Sequence, residues 1–278
     1  MFIIPDLPEG LFKRTYRPLP PNTFSTTSLV RWMDFVHKAK VPAVGATTVG
    51  VLNIEHLLSF DEIANADAMH VAEQLEAINK ARKPGHMLRW DACAGLSLKE
   101  KMAYGKEVEA CDFDLNPGEP RTFDILYEIP AEEVAVLERP WVNAKMMDNF
   151  PVEFRVFVNE GVVKAIANYY LQRPLEDTPQ MRDWMKRSID LTNQIIAVVK
   201  EEGLCPAFSR QSNPGQDFSA TLDFMVNETG EVLFLEAGPG FGFGAHPCSF
   251  LHTDGINYDP VVGAKMGSEK PSIPLDEL

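Results

Sequence analysis

The sequence lacks the marks of several common protein classes. It has only four cysteines, Cys93, Cys111, Cys205 and Cys248, and no C-x-x-C pair. That pattern encodes neither a zinc ribbon nor a disulfide framework, so buried or idle thiols are expected. No stretch approaches the roughly 20 consecutive apolar residues of a membrane helix. Met1-Phe2-Ile3-Ile4-Pro5-Asp6 is too short and too soon acidic for a secretory leader, and the expectation is a soluble, cytoplasmic protein with no membrane partner. Basic residues are scarce: 26 Lys and Arg stand against 40 Asp and Glu, a formal net charge of -14. Nucleic acid or anionic lipid binding nonspecifically would meet a repulsive field, so neither is expected as a partner. There is no internal repeat, no low-complexity tract and no convincing side-chain nucleophile with a base beside it. What remains is 278 residues, 45% hydrophobic and 24% charged, the profile of one large or two modest globular domains.

The first 25 or so residues carry Pro5, Pro8, Pro18, Pro20 and Pro21 and read as an extended arm. From Ser28 to Lys40, Leu29, Trp32, Met33, Phe35 and Val36 recur at helical spacing. Ser59-Phe60-Asp61-Glu62 opens a second helical run to about Ala81. Val41 to Gly45 and Val49 to Leu52, between them, are short apolar runs broken by proline or glycine and read as strands or turns. From Gly85 the texture changes to strand-like segments at 86–90, 121–128, 134–142, 152–158 and 162–170, which together predict a largely antiparallel sheet. Asn159-Glu160-Gly161 supplies the positive φ angles of a tight hairpin turn. Met181 to Glu202 predicts a helix with Gly203 as its C-cap. A second hairpin follows, Phe218 to Val226 and Glu231 to Glu236 around Asn227-Glu228-Thr229-Gly230. The last 15 or so residues read as a loose tail.

Charged residues inside apolar strands are the informative ones. Asp223 in Thr-Leu-Asp-Phe-Met-Val and Glu236 in Leu-Phe-Leu-Glu-Ala-Gly-Pro lie on the two arms of one hairpin. A carboxylate in a half-buried strand needs something to offset its desolvation, and a divalent cation bridging the arms would do so. The alternative is that each acid faces solvent. Glu153 and Arg155 alternate with apolar residues and so share one strand face. A carboxylate there suits sugar hydroxyls and a guanidinium suits phosphate oxygens, the alternative being a surface ion pair. Lys164, on the next arm, adds positive charge to the same cleft or is simply solvated. The run Gly238 to His246 matches a dinucleotide-binding glycine loop only superficially, since no βαβ unit can follow it. His246 and His252 lack metal-ligand spacing and read as packed or surface histidines.

Together these segments resemble the ATP-grasp fold, in which ATP lies between two small α+β lobes. The resemblance runs most strongly from Val136 to Pro239. Val136-Leu137-Glu138-Arg139-Pro140-Trp141-Val142 is similar to the hinge that holds adenine, which implies nucleotide contacts from Glu138, Trp141 and Val142. Glu153 stands where the family binds ribose, and Asp223 and Glu236 match its magnesium-binding acids. Met87-Leu88-Arg89-Trp90-Asp91-Ala92-Cys93-Ala94-Gly95 resembles the strand and loop over the phosphates, with Arg89 where many members carry lysine. That arginine and the Glu-Phe-Arg-Val-Phe-Val strand look most like the clade named for two arginines and a lysine, and like the eukaryotic cell-division-cycle chaperone of translation-factor assembly. The family motif Glu-x-Asn is here Glu236-Ala237-Gly238, which removes a side-chain oxygen ligand.

The resemblance implies an α+β, ATP-grasp-like architecture, with two lobes enclosing a nucleotide cleft. Its expected parts are a small lobe (85–137), a large lobe (138–262) and a tail (263–278); the N-terminal α/β region (1–84) carries no family signal and is for that reason the expected source of substrate specificity. The implied activity is ATP- and magnesium-dependent ligation of a carboxylate to an amine or thiol through an acylphosphate. Arg89, Arg155 and Lys164 are its catalytic candidates, and small-molecule or peptide carboxylates and amines its substrates. Such chemistry asks for positioning and charge neutralisation more than for a nucleophile. The alternative is an ATP-binding assembly or regulatory protein with a protein partner and little or no turnover.

Overall fold

A computed structural model describes residues 14, 16–59, 66–95, 98, 101–102, 106, 108–109, 113–147, 149–170, 178–209, 214–240, 251–253, 273–275 and 278. The N-terminal hexapeptide, Phe60 to Glu62, Cys111, the glycine run beyond Gly240 with His246 and Cys248, and the side chain of His252 lie outside that description. The proline-rich arm ends in a three-residue strand, β1 (Thr23–Ser25). Ser28 then caps α1 (Leu29–Lys38), its side chain accepting the Arg31 N–H, as expected of serine at an N-cap. Leu29, Trp32, Met33, Phe35 and Val36 are all buried.

The strand-like segments expected to form one sheet divide between two larger sheets. The smaller has three antiparallel strands, β2 (Thr47–Asn53), β3 (His86–Trp90) and β4 (Glu133–Pro140), in the order β2-β4-β3. Among the described residues three helices share its core: α2 (Ile54–Leu58), α3 (Ala66–Ala81) and α4 (Pro120–Glu128). Asn53 ends β2 and at once caps α2 by accepting the His56 N–H. The segment 121–128, expected as a strand, is α4. Its Phe123-x-Ile125-x-Tyr127 alternation is incidental, since Tyr127 is 44% exposed while Thr122 and Leu126, one helical turn apart, are buried. Pro120 in the first turn suits a helix start, because its missing N–H would have no partner there in any case.

The larger sheet has the order β11-β10-β7-β8-β12-β13. Its strands are β7 (Glu153–Asn159), β8 (Val162–Asn168), β10 (Ala220–Val226), β11 (Val232–Pro239), β12 (Leu251–Thr253) and β13 (Ile273–Pro274). In the β7–β8 turn Glu160 and Gly161 have φ of 53° and 68°, the left-handed pair a two-residue hairpin needs. One face, with Phe154, Val156, Leu222 and Phe224, packs on α1 and on α5 (Pro179–Glu201). The short strand β9 (Cys205–Ala207) pairs in parallel with β1. Part of the expected loose tail is therefore ordered as β13, which pairs with β12.

The segment before the expected boundary at 84/85 contributes to both cores. Residues 47–53 supply the small sheet's third strand, and α2 and α3 pack in the small core, whereas α1 belongs to the large core. Between them, Val44 N–H donates to Phe234 O and Phe234 N–H to Pro42 O, laying residues 42–44 along the edge of β11. The second passage between lobes follows Pro140 and contains a small hairpin, β5 (Met146–Met147) and β6 (Phe150–Pro151).

Candidate functional site

Register decides which charged side chains meet. Across three neighbouring strands Arg155 lies opposite Asp223, and Asp223 opposite Glu236. Paired residues project on the same side of a sheet, so the three form one row on the face turned away from α1 and α5. In the small sheet Arg89 lies opposite Leu137 and Met87 opposite Arg139, so Arg89 and Arg139 share a face with Leu137, which joins the large-lobe core. The two polar faces meet there.

The row is held by short, charge-assisted bonds. Arg155 Nε and Nη2 donate to Asp223 Oδ1 and Oδ2 at 2.7 and 2.6 Å, a two-pronged pair in which Asp223 is 0% and Arg155 6% exposed. The Arg155 guanidinium also lies over the Tyr169 ring, 4.8 Å from its centre. Arg89 reaches across from the other sheet, donating from Nη1 to Glu236 Oε2 at 2.7 Å and from Nε to Trp90 O at 3.0 Å. Arg139, 1% exposed, donates to Val44 O at 2.7 Å and Gly45 O at 3.2 Å. Burial, and then the charge of Arg89, lower its pKa to about 9, against the pull of Glu236. Glu153, two residues from Arg155 on the same face, accepts the Tyr170 hydroxyl at 3.0 Å. Burial and the neighbouring Glu153 charge push the Tyr170 phenol well above its usual range.

The other expected site residues are placed apart from this row. Glu138 is on the opposite face of β4, where Lys83 donates to it from both its backbone N–H and Nζ at 2.8 Å. Burial opposes ionisation of Glu138, but the Lys83 bonds and charge outweigh it and hold the carboxyl below its ordinary value. Trp141 donates its N–H to Gly85 O at 2.8 Å, and Val142 packs beside Val44, Met225 and Leu233. Both lie on the passage between the lobes. Lys164 is the extra residue where the β7–β8 register shifts, between the pairs Val158–Val163 and Phe157–Ala165. No bond described joins it to Arg155.

Three further residues shape the site and had no role in the sequence reading. Arg139 stood inside the expected hinge, where a charge in an apolar strand was its only signal. Tyr170 gave none, because its partner is 17 residues away. Asp91, at the end of β3, accepts Ser28 Oγ at 2.8 Å and the Val30 N–H at 2.7 Å, tying the start of α1 to the small sheet. Burial raises the Asp91 pKa, and the Val30 and Ser28 bonds only partly offset it.

Asp223 and Glu236 have the oxygen chemistry of magnesium ligands. Both Asp223 oxygens and Glu236 Oε2 accept guanidinium bonds. Among the described residues no group of three His, Cys, Asp or Glu is placed to hold a metal. Gly238, paired with Thr221 two residues along from the acids, offers no side-chain oxygen, and a Cβ there would meet Thr221 Oγ1 at 3.2 Å. Of the two cysteines described, Cys93 is buried and Cys205 half-buried, and among the described residues no helix is long and apolar enough to cross a membrane.

No family model matches the chain, and no curated protein matches it. Several solved structures do, at low identity. N5-carboxyaminoimidazole synthase from Aspergillus clavatus, in complex with ADP and 5-aminoimidazole ribonucleotide, is 10% identical at a TM-score of 0.41, covering 80% of this chain and 47% of that one. The VanG D-Ala:D-Ser ligase from Enterococcus faecalis is 13% identical at 0.37, covering 80% and 54%. The ATP-grasp ligase PsnB, complexed with precursor peptide PsnA2 and AMPPNP, is 11% identical at 0.32, covering 77% and 49%. The chain thus spans about half the length of these structures.

Proposed function

We propose that the chain is an ATP-dependent ligase of ATP-grasp type, which activates a carboxylate for attack by an amine or thiol. The observation that carries this reading is the convergence of Arg89, Arg139 and Arg155, with Asp223 and Glu236, on one buried row where two sheets face each other. Guanidiniums in low-dielectric surroundings are strong partners for phosphate oxygens. In this reading Arg89 and Arg155 neutralise the triphosphate and the charge that develops as the terminal phosphoryl group passes to the carboxylate. In this reading Lys164, at the register shift of β8, contributes further positive charge. In the same reading Trp141 and Val142, on the passage between the lobes, and Glu138, at the end of β4, contact the nucleoside, and Glu153 takes the ribose. Magnesium, when bound with nucleotide, would depend on Asp223 and Glu236 and supply further neutralisation.

The chain belongs in this reading beside the clade named for two arginines and a lysine, working in the cytoplasm on a small-molecule or peptide carboxylate and an amine. A second reading, an ATP-binding assembly or regulatory protein with a protein partner, draws support from Gly238 and from the engagement of both acids by arginine. Calorimetry with ATP, ADP and GTP at millimolar Mg²⁺ tests what the readings share: ATP binds, and absence of all three nucleotides would remove both. ADP release with pooled carboxylates and amines selects the ligase. Nucleotide-dependent capture of a protein without turnover selects the alternative. Glu153→Ala should weaken ATP and adenosine alike.

A further inference from the structure

The small sheet ends in an open strand. Residues 42–44 cover the edge of β11, but β2 bonds on one side only, to β4. Among the described residues, the backbone of residues 47–51 makes no hydrogen bond beyond that pairing. Thr47, Thr48, Val49 and Val51 are exposed, Val51 at 52%. A free edge is a row of donors and acceptors at strand spacing, so the group that satisfies it is another extended backbone. Edges that must stay single are commonly blunted by lysine, proline or an inward charge. Thr47-Thr48-Val49-Gly50-Val51-Leu52-Asn53 has none of these. A register shift at Val49 interrupts the strand, and residues 50–53 beyond it pair in step with residues 133–136.

Charge selects the occupant. Glu133, exposed, lies opposite Asn53 on β4, and Glu132 beside it in the chain is exposed as well. Glu55 follows in α2. The charges of Glu55 and Glu132 act on Arg14, which is buried and donates to the carbonyls of Leu126, Ile129 and Ala131. At the Asn53 end, three carboxylates therefore stand against this one guanidinium. A second copy of the chain would bring no cation there, since in antiparallel pairing Gly45, Ala46 and Thr47 of its own β2 edge would face Asn53. One short strand also falls well below the roughly 1,000 Å² of a stable interface between folded chains. We propose that the β2 edge docks an extended peptide segment of a partner, antiparallel to β2, with β-branched residues beside Val49 and Val51 and Lys or Arg at its N-terminal end beside Glu132 and Glu133. Antiparallel pairing is the more stable per residue, and cross-strand pairs add to it. The inference does not rest on the nucleotide reading.

The test uses the full chain and the fluorescent peptide Lys-Arg-Thr-Val-Thr-Val-Thr, followed by anisotropy. The peptide should bind, and the same peptide with both basic residues replaced by glutamate should bind at least about tenfold more weakly. Only alternate N–H groups of an added strand face its neighbour. N-methylation of the valines and N-methylation of the threonines should therefore differ, one set weakening binding by about tenfold or more and the other by less than about twofold. Bound peptide should slow hydrogen exchange in residues 47–53. Glu132→Gln with Glu133→Gln, both on the surface, should weaken binding about two- to tenfold and reduce its salt dependence; circular dichroism checks that this variant is folded. No binding at about 1 mM peptide, equal effects of the two N-methylated sets, unchanged exchange in residues 47–53, or an unchanged affinity in the folded glutamine variant would overturn the proposal. So would a dimer in sedimentation equilibrium whose formation slows exchange in the same segment, which would give the edge to a second copy.

Discussion

Replacing Asp223 by leucine removes the acid from the most buried ion pair among the described residues and leaves Arg155 behind. The Arg155 guanidinium loses two bonds of 2.7 and 2.6 Å in a setting where its partner was 0% exposed. Breaking one side of such a buried pair costs about 3 to 5 kcal/mol, because the remaining charge stays buried without its partner carboxylate. The stacking of Arg155 over Tyr169 persists, but at about 0.5 to 2 kcal/mol it cannot make up the loss. For a chain of this size a urea dependence near 3 kcal/mol per molar turns that cost into a midpoint lowered by about 1 to 1.7 M. The companion variant, Arg155→Met with Asp223→Leu, removes both charges and should return to within about 1 kcal/mol of wild type or exceed it. Urea titrations followed in parallel by tryptophan fluorescence and circular dichroism measure both. A single variant that loses less than about 1 kcal/mol, or a double variant as unstable as the single, would refute the account of the pair as a buried, mutually dependent unit.

Arg14 donates to Leu126 O at 2.9 Å, to Ile129 O at 2.8 Å and to Ala131 O, so it closes the carbonyl end of α4; Arg14→Met should cost about 2 to 4 kcal/mol in urea titration. At Gly161, φ is +68° and an added Cβ would lie 2.5 Å from Lys200 Cε; Gly161→Ala should destabilise by about 1 to 2 kcal/mol, and an unchanged midpoint would mean that the turn relaxes freely. Asp91 has a raised pKa in the folded state, so between the unfolded aspartate value of 3.8 and its folded value the folded chain binds more protons than the unfolded one. The Asp91 contribution to stability therefore falls as pH rises through that window, and Asp91→Asn should remove this part of the slope when urea midpoints are compared across mildly acidic pH.

Features set by a few adjacent residues were legible in the sequence. Ser28 caps α1 because a serine hydroxyl reaches an N–H three residues on, whatever the rest of the chain does. The Asn159-Glu160-Gly161 turn holds its two positive φ angles for an equally local reason. The strand at 86–90 and the helix after Thr178 follow from period and cap. Where two periods compete over a short segment, local reading failed. Residues 121–128 carry a strand-like alternation of rings and aliphatics, and only burial of Thr122 and Leu126 against the small-lobe core selects the helix.

That Asp223 and Glu236 occupy apolar strands, and that Glu153 and Arg155 share a face, was determined by the sequence alone, since alternation follows from backbone geometry. Which partners they take was decided only by tertiary structure. Arg155 meets Asp223 because β7 and β10 are neighbours in a particular register, and Arg89 meets Glu236, 147 residues away, because the two sheets present their polar faces to each other. A charge in a strand is compatible with solvent, metal or a counterion. The choice depends on long-range approach and desolvation, and neither is encoded in any window of neighbouring residues.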